Sequence, residues 1–297
     1  MRLAYLGTPD VAVAPLVALH DADHDIVAVV TGPDRRRGRG TATSPSPVKA
    51  AAIERGLPVT HDVGELSGSD AELGVVVAYG RIIPSQLLDE IPMVNLHFSL
   101  LPRWRGAAPV ERAILAGDTM TGVCVIDVAT RLDEGDVHDR IEVPISDDVT
   151  ADELRAELAA VGTDLLVRRL DVGLGDASPQ VGEPTYAHKL TSDDRRIEWS
   201  DSATQAHRVV RVGDAHTTFR GERFKIHRAT VATGVDDDDG QSHAPGALVG
   251  SVVACGTGAL APVEVQAAGA ARMTWESWRH GAQPRLGERL GETAAAS

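Results

Sequence analysis

Asn95, His97 and Asp133 are side chains whose types and spacing suit one chemistry. Asn95 and His97 lie two positions apart near the end of an apolar run, Met93 to Phe98, so on a strand they face the same side. Thirty-six residues beyond His97, Leu132-Asp-Glu-Gly-Asp136 supplies the Asp133 carboxylate on a loop that follows another apolar run and can fold back over the imidazole. An amide N–H and a ring N–H can stabilise the oxyanion that builds when an amine attacks a carbonyl carbon. The amine must also lose a proton, to His97 or to a water held by Asp133, and a neighbouring carboxylate would fix the imidazole tautomer and raise its basicity. Acyl transfer to an amine built this way needs no Ser or Cys nucleophile; Ser99 reads as a cap for the following loop or a substrate contact. Taken singly, each piece has a plainer reading: Asn-x-His as a structural pair, Asp133 to Asp136 as a turn with Gly135 left-handed, Ser99 to Pro102 as a loop.

The elements that must position these groups follow from the patterning. Leu3 to Leu6, Ile26 to Val30, Gly74 to Val77, Met93 to Phe98 and Gly122 to Val128 are continuous, β-branched and bounded by Gly, Pro or Asp, which predicts buried strands. Between them, Asp10 to Leu19, Pro47 to Arg55, Pro84 to Glu90 and Pro109 to Ala116 have helical spacing, three opening on a proline that suits the first turn. The alternation predicts an α/β, doubly wound, mostly parallel sheet, whose strand carboxyl ends are the usual place for a ligand. Ala151 to Leu170 reads as a long helix, with Thr150 and Glu153 in a capping-box pattern, and Gly173 to Glu183 as linker. A short helix over Ala203 to Val212 and short strands at Thr217 to Arg220, Phe224 to His227 and Val263 to Gln266 predict a smaller C-terminal β-barrel, with Asp236 to Gly240 as a solvated loop. The expected division is 1–180, a linker at 181–200, and 201–297.

Composition removes several classes. The chain has 297 residues and a net charge of −14, and no stretch approaches the ~20 apolar residues of a membrane span. With no signal-peptide pattern at Met1, a cytoplasmic, non-membrane and monomeric protein is expected. The charge disfavours nonspecific polyanion binding over the whole surface, so a nucleic-acid contact needs a local basic patch. Residues 200–297 are close to neutral, with 10 Lys+Arg against 11 Asp+Glu. Arg35, Arg36, Arg37 and Arg39, with Gly38 and Gly40 among them, form the strongest positive cluster, which by itself reads as a solvated turn. Cys124 and Cys255 lack ligand-spaced partners and read as packing residues; His20, His24, His61, His138 and His188 read as surface or structural, and no metal is expected. Gly7-Thr-Pro-Asp10 stands where a dinucleotide site would carry Gly-x-Gly-x-x-Gly but lacks the second and third glycines, so no NAD is expected.

The run Asn95-x-His97-x-Ser99-Leu-Leu-Pro-Arg-Trp-Arg-Gly-Ala-Ala-Pro109, followed by Ala116-Gly-Asp118, Thr121-Gly-Val123 and Leu132-Asp-x-Gly-Asp136, resembles the methionyl-tRNA formyltransferase family. The likeness extends to Gly7-Thr-Pro-Asp10, Pro33-Asp-Arg35 with Gly38-Arg-Gly40, Pro45-Ser-Pro-Val-Lys49, Val75-Val-Val-Ala-Tyr-Gly80 and Tyr186-Ala-His-Lys-Leu190, about two-thirds of the chain in register. It implies a Rossmann-like formyltransferase domain followed by an OB-like barrel, and a catalytic trio of Asn95, His97 and Asp133. It also implies a folate pocket formed by Ser99, Leu100, Leu101 and Pro102 with Ala78, Tyr79 and Gly80. The implied donor is 10-formyltetrahydrofolate, the acceptor the α-amino group of methionyl initiator tRNA, and the basic loop Arg35 to Arg39 the segment that reaches the acceptor stem. One stretch departs: after the second-domain helix the family carries an Asn/Pro/aromatic segment, whereas here Arg211-Val-Gly-Asp-Ala-His-Thr-Thr-Phe219 follows. That domain grips the outside of the tRNA in the family and is not basic here, so an acceptor such as an amino-sugar nucleotide stays open beside tRNA. A non-catalytic tRNA- or folate-binding homologue is the third reading; the intact trio argues against it.

Overall fold

The computed structural model describes residues 1–36, 43–232, 243–285 and 287–292, which form two compact units. The first comprises Met1–Val110, Thr119–Ile145 and Glu153–Lys189; the second comprises Glu111–Asp118, Ser146–Asp152 and Leu190–Ser297.

The first unit is built on a seven-stranded sheet of β1 (Arg2–Gly7), β2 (Asp25–Val30), β3 (Val59–Thr60), β4 (Leu73–Val77), β5 (Met93–His97), β6 (Met120–Asp127) and β7 (Val137–Pro144), in the order β7-β6-β5-β4-β1-β2-β3. All pairings from β5 through β3 are parallel; β6 runs antiparallel to β5, and β7 to β6. Strands β1 and β4 are apolar almost throughout because both faces of a parallel sheet are covered. Edge strand β7 instead alternates, with Asp139 and Glu142 breaking up the apolar positions. All five strands expected from the sequence are present.

The helices of the first half also form where the spacing places them. Asp10–Ala12 is a 3₁₀ turn leading into α1 (Val13–Asp21), and α2 (Pro47–Glu54) starts where the Ser46 hydroxyl accepts from the Lys49 N–H at 3.0 Å, with Pro47 in the first turn. Then come α3 (Ser85–Glu90), α4 (Pro109–Ala116) and α5 (Ala151–Val172). The order reverses direction beside β1, so the carboxyl ends of β1, β4 and β5 open onto one rim.

The second unit contains α6 (Ala203–Arg211) and an antiparallel sheet of β8 (His216–Phe219), β9 (Glu222–Ala232), β10 (Leu248–Val249), β11 (Val252–Ala254) and β12 (Ala259–Ala267), with β13 (Met273–Thr274) on β12 and α7 (Trp275–Ala282) following. The expected barrel is a curled half-barrel, ordered β8-β9-β12-β11-β10, and helices α6 and α7 supply the rest of its core. Phe219, Phe224, Trp275 and Trp278 pack there, with Trp275 stacked on Trp278 at 4.7 Å. The divergent segment after α6 is part of this construction: buried Arg211 donates to the carbonyls of Val149 (2.8 Å) and Ser146 (2.7 Å), and the Trp199 indole donates to Thr217 Oγ1 at 2.9 Å.

Within the second unit, Arg112 grips Asp194 through two hydrogen bonds, 2.7 and 3.0 Å, and Thr191 donates to the same carboxylate. Arg112, then Thr191, holds the Asp194 carboxyl down to about 2 from 3.8. A depressed carboxyl pKa contributes stability that is present above pH ~4 and lost as pH falls through the folded value. The pair is partly exposed, which discounts it to the order of 1 kcal/mol. Urea melts of wild type and Asp194→Asn should therefore differ by that amount at pH 7 and converge between pH 4 and 2; a gap unchanged across that window would contradict the assignment.

Candidate active site

Strand β5 is registered with Asn95 opposite Val76 of β4 and His97 opposite Cys124 of β6. His97 is buried and Asn95 half-buried. The connection from β6 to β7 turns back over them, carrying Asp133, whose side chain is one-tenth exposed. Its Oδ2 accepts from the Gly106 N–H at 2.8 Å and lies 3.6 Å from His97 Nδ1; its Oδ1 accepts from Asn95 Nδ2 at 3.4 Å. The structure thus brings together around one carboxylate all three residues singled out by type and spacing.

The other imidazole nitrogen fixes the tautomer. His97 Nε2 lies 3.0 Å from the Trp104 carbonyl, which can only accept, so this nitrogen carries a proton and Nδ1 is the one that faces Asp133. The sequence reading gave the tautomer to Asp133; a backbone carbonyl of the loop after β5 sets it instead.

That loop is held locally. The Ser99 hydroxyl, completely buried, donates to the Arg103 carbonyl at 2.6 Å and ties the loop to itself. Leu101 packs with Cys124, Ile126 and Val137, and the peptide before buried Pro102 is cis. Leu100 is half-buried. Of the residues expected beside them after β4, Tyr79 is buried with the Arg81 guanidinium over its ring at 5.9 Å, whereas Ala78 and Gly80 are exposed. Non-glycine residues take left-handed backbone conformations after three adjacent strands: Ala78 (φ 46°), Trp104 (φ 65°) and Asp133 (φ 53°). Each costs on the order of 1 kcal/mol or more, and such strain gathers where side chains must be aimed.

The turn at Asp133 differs from expectation. Asp133, not Gly135, is left-handed; glycine is needed at 135 because a Cβ there would sit 1.8 Å from the Asp127 carbonyl oxygen, between the paired strands β6 and β7. One further residue beside the site, Gln180, leaves no signal in the sequence. Gln180 reaches the carbonyls of Asp133 and Gly135, Arg105 reaches Gln180 and Glu134, and the stretch read as linker, 173–183, is part of the first unit, where Ser178 pairs with Val137.

Of the basic loop, Arg35 and Arg36 are exposed and pair with Ser44 and Thr43 as a short antiparallel ladder, beside a Lys49–Asp34 ion pair of 2.7 Å. Arg37, Gly38, Arg39 and Gly40 lie outside the described residues, as does Asp236 to Gly240. Both cysteines are buried, and burial pushes each thiol up to about 11, which suits packing rather than nucleophilic roles. His24 is buried and its pKa lowered by that burial, while His61 bridges the Thr31 carbonyl and Lys49.

Residues 1–170 match the family described as formyl transferase, and residues 189–283 match the formyl transferase C-terminal domain. This chain belongs to the formyl transferase family. A methionyl-tRNA formyltransferase from Stutzerimonas stutzeri is 39% identical over 91% of this chain and 91% of that protein. Another from Symbiobacterium thermophilum is 40% identical over 99% and 97%. Among solved structures, an N-formyltransferase from Helicobacter canadensis, in complex with folinic acid and dTDP-3-aminofucose, superposes with a TM-score of 0.67 at 16% identity, covering 91% of this chain and 99% of that one. At that identity the last likeness shows a shared fold alone.

Gly135→Ala tests the turn that aims Asp133 in this formyl transferase. Relief of a 1.8 Å clash with the Asp127 carbonyl requires the β6–β7 connection to move, at a cost of about 1–3 kcal/mol in a denaturant titration; unchanged stability would show that the approach is not tight.

Proposed function

We propose that the chain transfers the formyl group of 10-formyltetrahydrofolate to the α-amino group of methionyl initiator tRNA, using Asn95, His97 and Asp133 as the catalytic trio. The convergence of those three side chains on one desolvated carboxylate carries the chemical half of this reading. In the step, the acceptor nitrogen bonds to the formyl carbon and the developing oxyanion takes an N–H from Asn95, whose Nδ2 has a hydrogen to offer besides the one directed at Asp133. The proton leaves the amine through His97 Nδ1, directly or by a water against Asp133, and reaches N10 of the folate as the carbon–nitrogen bond there breaks. Atoms and charge balance with no metal and no nicotinamide. The strand ends bearing Ala78, Tyr79 and Gly80 and the loop Ser99 to Pro102 would hold the donor.

The acceptor half rests on the relatives. Two methionyl-tRNA formyltransferases share about 40% identity along nearly the full chain, whereas the likeness to the amino-sugar enzyme is one of fold. Exposed Arg35 and Arg36 supply a place for phosphate in an acidic protein, and arginine binds phosphate bidentately. The protein would act as a monomer in the cytoplasm.

Purified protein offered 10-formyltetrahydrofolate should formylate methionyl-tRNA and not dTDP-amino sugars; formylation of the sugar nucleotide alone would reverse the choice of acceptor. Asp133→Asn and His97→Ala should each lower kcat by at least ~10²-fold with the fold intact by circular dichroism. Near-normal turnover in either would remove the assigned roles. The pair Arg35→Ala and Arg36→Ala should weaken methionyl-tRNA binding and reduce the slope of log Kd against log salt by about 1 per lost phosphate contact, and an unchanged slope would put the contacts elsewhere.

A further inference from the structure

The Gln180 carboxamide uses its whole hydrogen-bonding capacity within the loops around Asp133. Its Nε2 donates to the carbonyls of Asp133 (2.7 Å) and Gly135 (2.9 Å), and its Oε1 accepts from Arg105 Nη2 (2.7 Å) and Nε (3.1 Å). Two donors and two acceptor sites are all that a carboxamide has. Its orientation is also determined, since the flipped amide would set oxygen against two carbonyls and NH₂ against a guanidinium. Arg105 continues the connection: its Nη1 pairs with Glu134 Oε1 at 2.9 Å, while the next residue, Gly106, donates its N–H to the Asp133 carboxylate. The loop after β5 and the loop after β6 are therefore clamped together by one half-buried amide from a third segment.

The clamp acts on the residue most sensitive to it. Asp133 holds a left-handed backbone conformation, and its carboxylate meets Asn95 and His97 at the long distances of 3.4 and 3.6 Å. A small rotation at its peptide lengthens both, and catalytic groups lose rate steeply with such displacements. The Asp133 carbonyl is the handle that Gln180 holds.

We infer that Gln180 is a positioning residue for the formyl-transfer reaction, fixing the Asp133 carboxylate against His97 by donating to the two carbonyls that flank Glu134. The inference rests on the catalytic assignment of Asp133 made above. Its test is a kinetic cycle of Gln180→Ala, Gln180→Glu, Asp133→Asn and the Gln180→Ala/Asp133→Asn double variant, with 10-formyltetrahydrofolate and methionyl-tRNA as substrates. Both Gln180 variants should lower kcat at least ~10-fold with both KM values within about threefold. Glu is the decisive replacement, because it keeps an acceptor for Arg105 and the side-chain volume but removes the donors. In the double variant, Gln180→Ala should lower turnover less than about twofold beyond Asp133→Asn, since a residue acting only through Asp133 has nothing left to position. Near-normal kcat for Gln180→Glu, or a full additional loss in the double variant, would overturn the inference while leaving Asp133 in place. Near-normal kcat for Asp133→Asn would overturn the catalytic reading itself and this inference with it.

Discussion

A carboxylate with one-tenth of its surface exposed is the constraint on which the first unit turns. Taking an ionised carboxyl out of water costs several kcal/mol unless its oxygens are met by donors. Asp133 is met by one main-chain N–H, from Gly106, and by one side-chain amide, from Asn95, with the His97 ring alongside. These come from one strand and the loop that follows it, while the carboxylate stands at least 27 residues further along the chain, so both sides must be delivered by something rigid. The antiparallel hairpin of β6 and β7 delivers the carboxylate and β5 delivers the amide and imidazole. The short pairing of Arg105–Gly106 with Tyr186–Ala187 fixes the peptide whose N–H completes the shell.

The same constraint explains where glycine and strain fall. Gly106 combines a φ of 116° with a site where a Cβ would lie 2.9 Å from the Ala187 carbonyl oxygen, so its freedom and its lack of side chain are both used. Trp104 is strained two residues earlier so that its carbonyl can meet His97 Nε2, and Asp133 is strained so that its side chain can turn inward. Energy stored in these conformations is offset by the packed sheet beneath, where Leu96, Val123, Val125 and Ile126 are essentially inaccessible.

How much of this was legible in the sequence depended on whether position carried a period. Buried parallel strands announce themselves as unbroken apolar runs, and the period of two places Asn95 and His97 on one face. Asp133 is legible because it stands on a loop after another apolar run, able to fold back over the imidazole, together with the family likeness of the run from Asn95 to Pro109. Gln180 is not. It sits in a stretch with no helical or strand periodicity, and its role consists of contacts to main-chain carbonyls, which leave no mark on composition. Gly135 was recognised as a turn residue but for the wrong reason, since sequence suggests φ and cannot show that a neighbouring carbonyl occupies the place of a Cβ. The barrel was legible as short strands between turns, while its being a half-barrel completed by two helices follows from packing of Trp275, Trp278 and Phe224 that no local pattern encodes.

Charge bears on the proposed choice of acceptor. In the second unit exposed Arg223 and Arg228 have no carboxylate partner among the described residues, but several other cations are taken: Arg220 by Glu288, Arg289 by Glu292, Arg196 by Glu198, Arg112 and Asp194 hold each other, and Asp214 serves both Lys225 and Arg195. A phosphate approaching any of these must compete with a carboxylate already in place, and exposed pairs of this kind are worth little to fold stability but much to local potential. Arg35 and Arg36 of the first unit differ from these pairs. Among the described residues, no carboxylate pairs with Arg35 or Arg36, and the one acidic neighbour, Asp34, is occupied by Lys49. An acidic chain that must hold a polyanion needs only a few unspent cations, and under the function proposed above the short exposed ladder of Arg35 and Arg36 would supply two of them.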